Sequence, residues 1–229
     1  MLRIFLSALL AGAVIAIGGT VCLSLESAVA GALFFTVGLF AVCTRSLHLF
    51  TGKVCYVFEN DRAYARTLPV IWLGNFAGTA LVAAAEQLTR LSALGARAQA
   101  LCAVKLSEPL FGAFLLAVLC NVMIYLAVDG YRANPHELGK YLSLFFGVCV
   151  FILCGFEHCV ANMYYFTMGG AWSLRTFGYL LVMTLGNAVG GVIGPLCHKL
   201  LSPADGAAKL YERRGMRCAH PSSHFLLGL

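Results

Sequence analysis

The chain has 229 residues, 60% of them hydrophobic and 11% charged, with a formal net charge of +6. A soluble domain carries about 25% charged residues because its surface faces water, so this chain reads as one membrane domain despite a length that would suit a soluble one. There is no basic soluble domain of the kind nucleic-acid binding needs. The ten cysteines contain no C-x-x-C pair to signal a zinc or redox centre. They lie mostly inside apolar runs, where a thiol behaves as a small hydrophobe.

A bilayer core takes about 20 apolar residues per helix. Uncharged runs cover residues 4–25, 27–44, 67–85, 109–128, 141–156, 159–174 and 176–198. The first opens on Met1-Leu2-Arg3 like a signal peptide, but its apolar stretch continues to Leu25, too long for an h-region, and it reads as a span. The second continues past Arg45 to Lys53. Runs 141–156 and 159–174 are short and parted only by Glu157 and His158, so they read as one interrupted span. The expectation is an all-α protein of six crossings over residues 1–201, followed by a basic tail, 202–229.

Loop charge sets orientation. With both termini inside, the cytoplasmic side holds Arg3, Lys53, Arg62, Arg66, Arg132, Lys140, Lys199, Lys209, Arg213, Arg214 and Arg217. The opposite side holds only Arg90, Arg97, Lys105 and Arg175, and Arg45 is left at membrane depth.

The two halves echo each other. Leu73-Gly74-Asn75 opens the third span and Leu185-Gly186-Asn187 lies in the sixth. Each follows a broken span, at Leu49-Phe50-Thr51-Gly52 in the second and Gly155-Phe156-Glu157-His158 in the fifth, with Gly52 and Gly155 as hinges. Three spans per half is odd, so the halves insert with opposite topology, and inverted repeats of this kind put their site where the breaks meet.

Polar groups at that depth face a bundle interior or a pore. His158 can exchange a proton near neutral pH; otherwise its ring is satisfied by a neighbouring carbonyl. Glu157 reads as a tie for the loop, through backbone N–H groups or an asparagine such as Asn162. Thr51 is placed to orient the imidazole. Asn75, Asn121 and Asn187 are amides that hydrocarbon would leave unsatisfied. Lys105 is either an interfacial snorkelling lysine or the cation that draws an anion to the pore mouth. Phe35, Leu39 and Phe151 read as core residues or as dewetting rings. Arg45 and His48 have no assigned role.

Together these stretches, above all Gly155-Phe156-Glu157-His158 through Ala161-Asn162-Met163, resemble the formate/nitrite transporter family, which includes formate, nitrite and hydrosulfide channels. The resemblance covers nearly the whole chain. It implies a homopentamer of aquaporin-like protomers in a bacterial inner membrane, each protomer with its own pore. It implies a central pore histidine at His158, a loop threonine at Thr51, a lysine near the outer side at Lys105 and pore-lining amides at Asn121 and Asn187. Phe35 and Leu39 would then form a cytoplasmic constriction and Phe151 a periplasmic one, with Leu49 and Phe50 as further constriction residues at the first break. The family's N-terminal amphipathic helix is missing or very short here, and His48 stands where an acidic residue is common.

The expected cargo is a small monovalent weak-acid anion, formate ahead of hydrosulfide or nitrite, protonated in transit by His158. The rivals are an aquaporin-like channel for neutral solutes and an intramembrane enzyme. The first lacks its paired Asn-Pro-Ala boxes, since Asn134-Pro135 lies in a loop. The second lacks a nucleophile or second metal ligand beside His158, and His220 and His224 lie in the tail. No cofactor or metal is implied.

Overall fold

Long apolar runs become continuous helices and the two short pairs become broken ones. A computed structural model describes residues 1–201; the tail, 202–229, with its four basic residues and two histidines, lies outside the described residues. In chain order the helices are α1 (Leu2–Ser24), α2 (Ala28–Thr44), α3 (Phe50–Val54), α4 (Arg62–Ala65), α5 (Leu68–Gln87), α6 (Leu94–Ser107), α7 (Leu110–Ala133), α8 (Glu137–Leu153), α9 (Cys159–Met168) and α10 (Leu174–Leu201). A 3₁₀ turn at Arg90–Ala93 precedes α6, and no strand occurs among the described residues.

Four segments are long and apolar enough to cross a bilayer: Leu2–Ser24, Arg62–Gln87, Leu110–Ala133 and Leu174–Leu201. Helices α2 and α8 have 17 residues each, which at 1.5 Å per residue gives about 25 Å. That falls short of a ~30 Å hydrocarbon core, and α3 and α9 continue the two paths after a break. Large apolar side chains such as Leu10, Ile17, Phe34, Leu81, Phe111 and Leu185 are exposed, whereas Thr51, Asn75, Asn121, Glu157, His158, Asn162 and Asn187 are buried. This is the reverse of a soluble protein's distribution and suits a surface that faces lipid.

The breaks turn through a left-handed residue, Ser46 (φ 52°) in the first and Gly155 (φ 67°) in the second. Gly155 behaves as expected. Gly52 does not: it lies inside α3, and the turn is made by a serine six residues earlier. After the first turn, Leu47 N–H bonds the carbonyl of Val42; after the second, Phe156 N–H bonds that of Phe151. The loops are the same object built twice.

The unbroken helices around the breaks are held at close range. A Cβ at Gly78 on α5 would collide with the carbonyl of Leu9 on α1, and one at Gly190 on α10 would collide with that of Val118 on α7. Small residues let membrane helices approach backbone to backbone, and here they do so at matching places in the two halves. Sequence reasoning missed α6. Its buried residues, Ala98 and Cys102, are four apart and so lie on one face, but three charged or polar side chains between Arg97 and Lys105 obscure that stripe. Helix α6 packs on α9 and thereby delivers Lys105 to the second break.

Candidate functional site: the junction of the two breaks

Two asparagines define the backbone of the site. Asn75 Oδ1 accepts the N–H of Phe50, the first residue of α3, at 2.8 Å, while its Nδ2 donates to the carbonyls of Ala8 (2.8 Å) and His48 (2.9 Å). Asn187 Oδ1 accepts the N–H of Cys159, the first residue of α9, at 2.8 Å, while its Nδ2 donates to the carbonyls of Ala117 (2.7 Å) and Glu157 (2.8 Å). Connectivity is identical, residue for residue. Each amide satisfies one orphan N–H of a helix start and two loop or helix carbonyls, so the irregular backbone at the breaks is tied to protein as hydrocarbon depth requires. Both residues are fully buried. The amide of Asn187 is therefore spent on the scaffold.

Between the two helix starts, Thr51 Oγ1 lies 2.9 Å from His158 Nε2. The other ring nitrogen, Nδ1, accepts the N–H of Ala161 at 3.1 Å and so caps α9. A neutral ring with Nδ1 as acceptor carries its hydrogen on Nε2, so His158 donates to Thr51. The threonine hydroxyl then keeps its own hydrogen as a donor. The expectation that Thr51 orients the imidazole is met, and the ring is further fixed by a backbone N–H rather than a carbonyl. Asn121 adds a third tie: its Nδ2 donates to the carbonyls of Thr51 (3.1 Å) and Asn187 (2.7 Å), joining the two halves through one side chain.

The surroundings are apolar. Phe151 stacks on the His158 ring with centroids 5.6 Å apart, and Phe35 meets Phe151 edge to face at 5.9 Å. Leu39, Leu49 and Phe50 are also buried. Phe35 and Phe151 therefore meet beside the histidine, where the sequence reading set them at opposite ends. The difference has a simple origin: α2 and α8 pack side by side, a contact that linear position does not reveal.

Lys105 is neither a snorkelling cation nor an unpaired one. Its Nζ lies 2.7 Å from Glu157 Oε2, with the two side chains only 10% and 4% exposed. The same oxygen accepts Asn162 Nδ2 at 2.7 Å, so Glu157 is held by an asparagine, as expected, and by a lysine, which was not. Seven of the polar residues singled out in the sequence (Thr51, Lys105, Asn121, Glu157, His158, Asn162 and Asn187) thus form one connected cluster. Asn121 Oδ1 and Asn162 Oδ1 are buried acceptors with no donor among the described residues.

A second buried acid escaped sequence reasoning. Glu86, near the end of α5, accepts the hydroxyls of Thr20 and Tyr164 (2.7 Å to the tyrosine). At the end of an uncharged run it reads as an interfacial residue, and only the convergence of α1, α5 and α9 buries it. His48 is half-buried, its Nδ1 2.6 Å from Ser7 Oγ, and Arg45 is exposed at the C-cap of α2.

Broken helices clamped in pairs, an apolar outer face and a buried polar junction mark a multi-pass membrane protein. The chain matches the formate/nitrite transporter family over residues 1–198, and it belongs to that family. A probable formate transporter of Methanothermobacter thermautotrophicus is 30% identical, covering 85% of this chain and 86% of its own. Among solved structures, an FNT family ion channel aligns with TM-score 0.76 and 26% identity over 88% of this chain and 91% of that one. A pentameric formate channel with formate bound aligns with TM-score 0.71 at 24% identity, over 87% and 96% of the two chains, a likeness of fold.

Proposed function

We propose that the chain is a channel for small monovalent weak-acid anions, formate first and hydrosulfide or nitrite as alternatives, and that His158 protonates the anion in transit. In this reading the six spans form two inverted three-helix repeats in an aquaporin-like protomer. Five protomers assemble in a bacterial cytoplasmic membrane with both termini and Lys53 on the inside. The description of the relative as a probable formate transporter supports the choice of formate, and that of the structural neighbour as a pentameric formate channel supports the assembly. No catalytic role is proposed for any residue.

The observation that carries this reading is the Thr51–His158 pair set directly against the Phe35–Phe151 constriction. Moving a bare ion into such a low-dielectric passage costs about 20 kcal/mol in the idealised limit, and the neutral acid avoids most of that. The threonine O–H suits an arriving anion. The orphan acceptors on Asn121 and Asn162 suit an O–H donor, which the protonated acid carries and the anion lacks. To charge the ring, Nδ1 must take a proton in place of the Ala161 N–H that it accepts, so proton uptake and release of the α9 cap are a single event. The break thereby becomes part of the proton step.

The test is flux of formate into proteoliposomes across a pH series. Wild-type flux switches with pH; His158→Gln should flatten that dependence while the protein still assembles. Unchanged pH switching in His158→Gln overturns the proton role. Absence of formate, nitrite and hydrosulfide flux in the wild type overturns the channel itself. An aquaporin-like path for neutral solutes would instead pass glycerol or water at a rate indifferent to pH.

A further inference from the structure

The matching clamps put the two breaks in register, so residues at equal steps from the Asn-held helix starts are counterparts. Phe50 and Cys159 are the two N–H groups held, and His48 and Glu157 supply the two loop carbonyls. Ser46 and Gly155 make the two left-handed turns. Continuing at the same steps, Lys53 on α3 corresponds to Asn162 on α9. The Glu157 side carries one cation, Lys105, cancelled by a carboxylate that also binds Asn162. On the other side a histidine stands in the carboxylate's place and a lysine in the asparagine's.

Among the described residues Lys53 Nζ has no salt-bridge or hydrogen-bond partner, and the residue is only half-buried. The groups within electrostatic reach of it are Arg132 from α7, Cys43 from α2 and His48 from the break. Arg132 also lies over the Tyr56 ring at 4.5 Å, and the acid of that helix, Asp129, is contacted by the Tyr56 hydroxyl at 3.4 Å. Ser7 Oγ accepts the His48 backbone N–H at 3.1 Å and lies 2.6 Å from Nδ1; in the tautomer where the serine hydroxyl donates to Nδ1, the neutral ring keeps an N–H on Nε2 as a donor. The cluster thus offers an ammonium and, in that tautomer, a ring N–H, with Arg132 alongside, and among the described residues no carboxylate forms a salt bridge with Lys53.

We propose that Lys53 and His48 form an anion-binding site at the pore mouth opposite Lys105, which takes a small monovalent oxyanion before it reaches the Thr51–His158 pair. The proposal rests on the channel reading. It makes the pore electrically lopsided: the mouth with the paired lysine is close to neutral, and the mouth with the free one concentrates anions.

The probe is formate, with currents recorded across planar bilayers that hold the full chain in one orientation, fixed by a terminal tag, and with half-saturation measured from each face separately. At low ionic strength Lys53→Gln should raise half-saturation at the Lys53 face about tenfold, the scale on which a focused cationic mouth concentrates counter-ions. It should leave the Lys105 face within about twofold of wild type. Lys53→Arg should stay near wild type at both faces, His48→Gln should shift the Lys53 face by less, and ~1 M salt should erase the difference. Equal shifts at the two faces, or none at the Lys53 face, overturn the site. Should Lys53→Gln fail to assemble, His48→Gln decides by the same face comparison. A wild type that passes none of formate, nitrite or hydrosulfide overturns the channel reading first, and that result is seen before any variant is made.

Discussion

The break before α3 and the break before α9 share a backbone and disagree in their side chains. One asparagine holds each helix start and two carbonyls by the same three hydrogen bonds. Between those fixed points one loop carries Ser46, His48 and Lys53, and the other carries Gly155, Glu157 and Asn162. Backbone polar groups at membrane depth leave no freedom about being satisfied, so the clamp is the same in each half. The side chains beyond the clamp are free to differ, and that difference gives the path its two unlike ends. His158 has no counterpart in kind: the equivalent cap position before α3 is Leu49, which makes no side-chain cap.

The strongest way to break the comparison is to remove a clamp. Asn187→Leu deletes three hydrogen bonds and strands a buried N–H and two carbonyls, at about 1–3 kcal/mol per stranded group. The expected result is loss of the assembled species in detergent, read by fluorescence-detected size exclusion. Asn75→Leu should fail to the same degree, because it strands the same three kinds of group. If one variant assembles and the other does not, the two clamps are not equivalent and the register drawn between Lys53 and Asn162 loses its basis.

A smaller effect sharpens the comparison on the Glu157 side. Lys105→Met leaves Glu157 buried with only Asn162 as partner, and breaking a buried pair costs about 3–5 kcal/mol. The double variant Lys105→Met with Glu157→Gln removes both charges and should recover much of that loss in a thermal-unfolding series. Recovery separates a pair kept for charge balance from a lysine needed for its own contacts. Among the described residues no such pairing holds Lys53, so Lys53→Met should lower the unfolding temperature far less than Lys105→Met.

The sequence showed most of this site because its chemistry is out of place in lipid. Glu157, His158 and Asn162 interrupt an apolar run, and the repeated Leu-Gly-Asn of spans three and six marks the clamps. What stayed hidden depends on contacts between segments far apart in the chain. Lys105 reads as interfacial until α6 folds back on α9 and brings it to Glu157. Phe35 and Phe151 read as two constrictions until α2 and α8 lie side by side. Gly52 reads as a hinge because glycine is the usual left-handed residue, yet the turn falls on Ser46, whose type gives no signal. Asn121 and Asn187 were expected to line a pore. The Asn187 amide is consumed by backbone, while Asn121 gives its Nδ2 to two carbonyls and keeps an Oδ1 with no donor among the described residues, an outcome that depends on where the loop carbonyls end up.

The weakest expected effect concerns a difference in how the two loop backbones are anchored. Glu157 N–H donates to the backbone carbonyl of Leu116 at 3.3 Å, whereas the N–H of its counterpart His48 donates to the side chain of Ser7 at 3.1 Å. Only the second anchor can be removed by mutation. Ser7→Ala should destabilise the protein by about 1 kcal/mol, the ordinary worth of such a bond, because the half-buried His48 can turn toward other partners. Its sharper signature is expected in transport: with the ring released, half-saturation should rise modestly at the Lys53 face and stay fixed at the Lys105 face. A change at the Lys105 face would mean that Ser7 acts through the clamp, since Ala8, the next residue, is one of the carbonyls that Asn75 holds. The asymmetry would then have to be traced to the backbone after all.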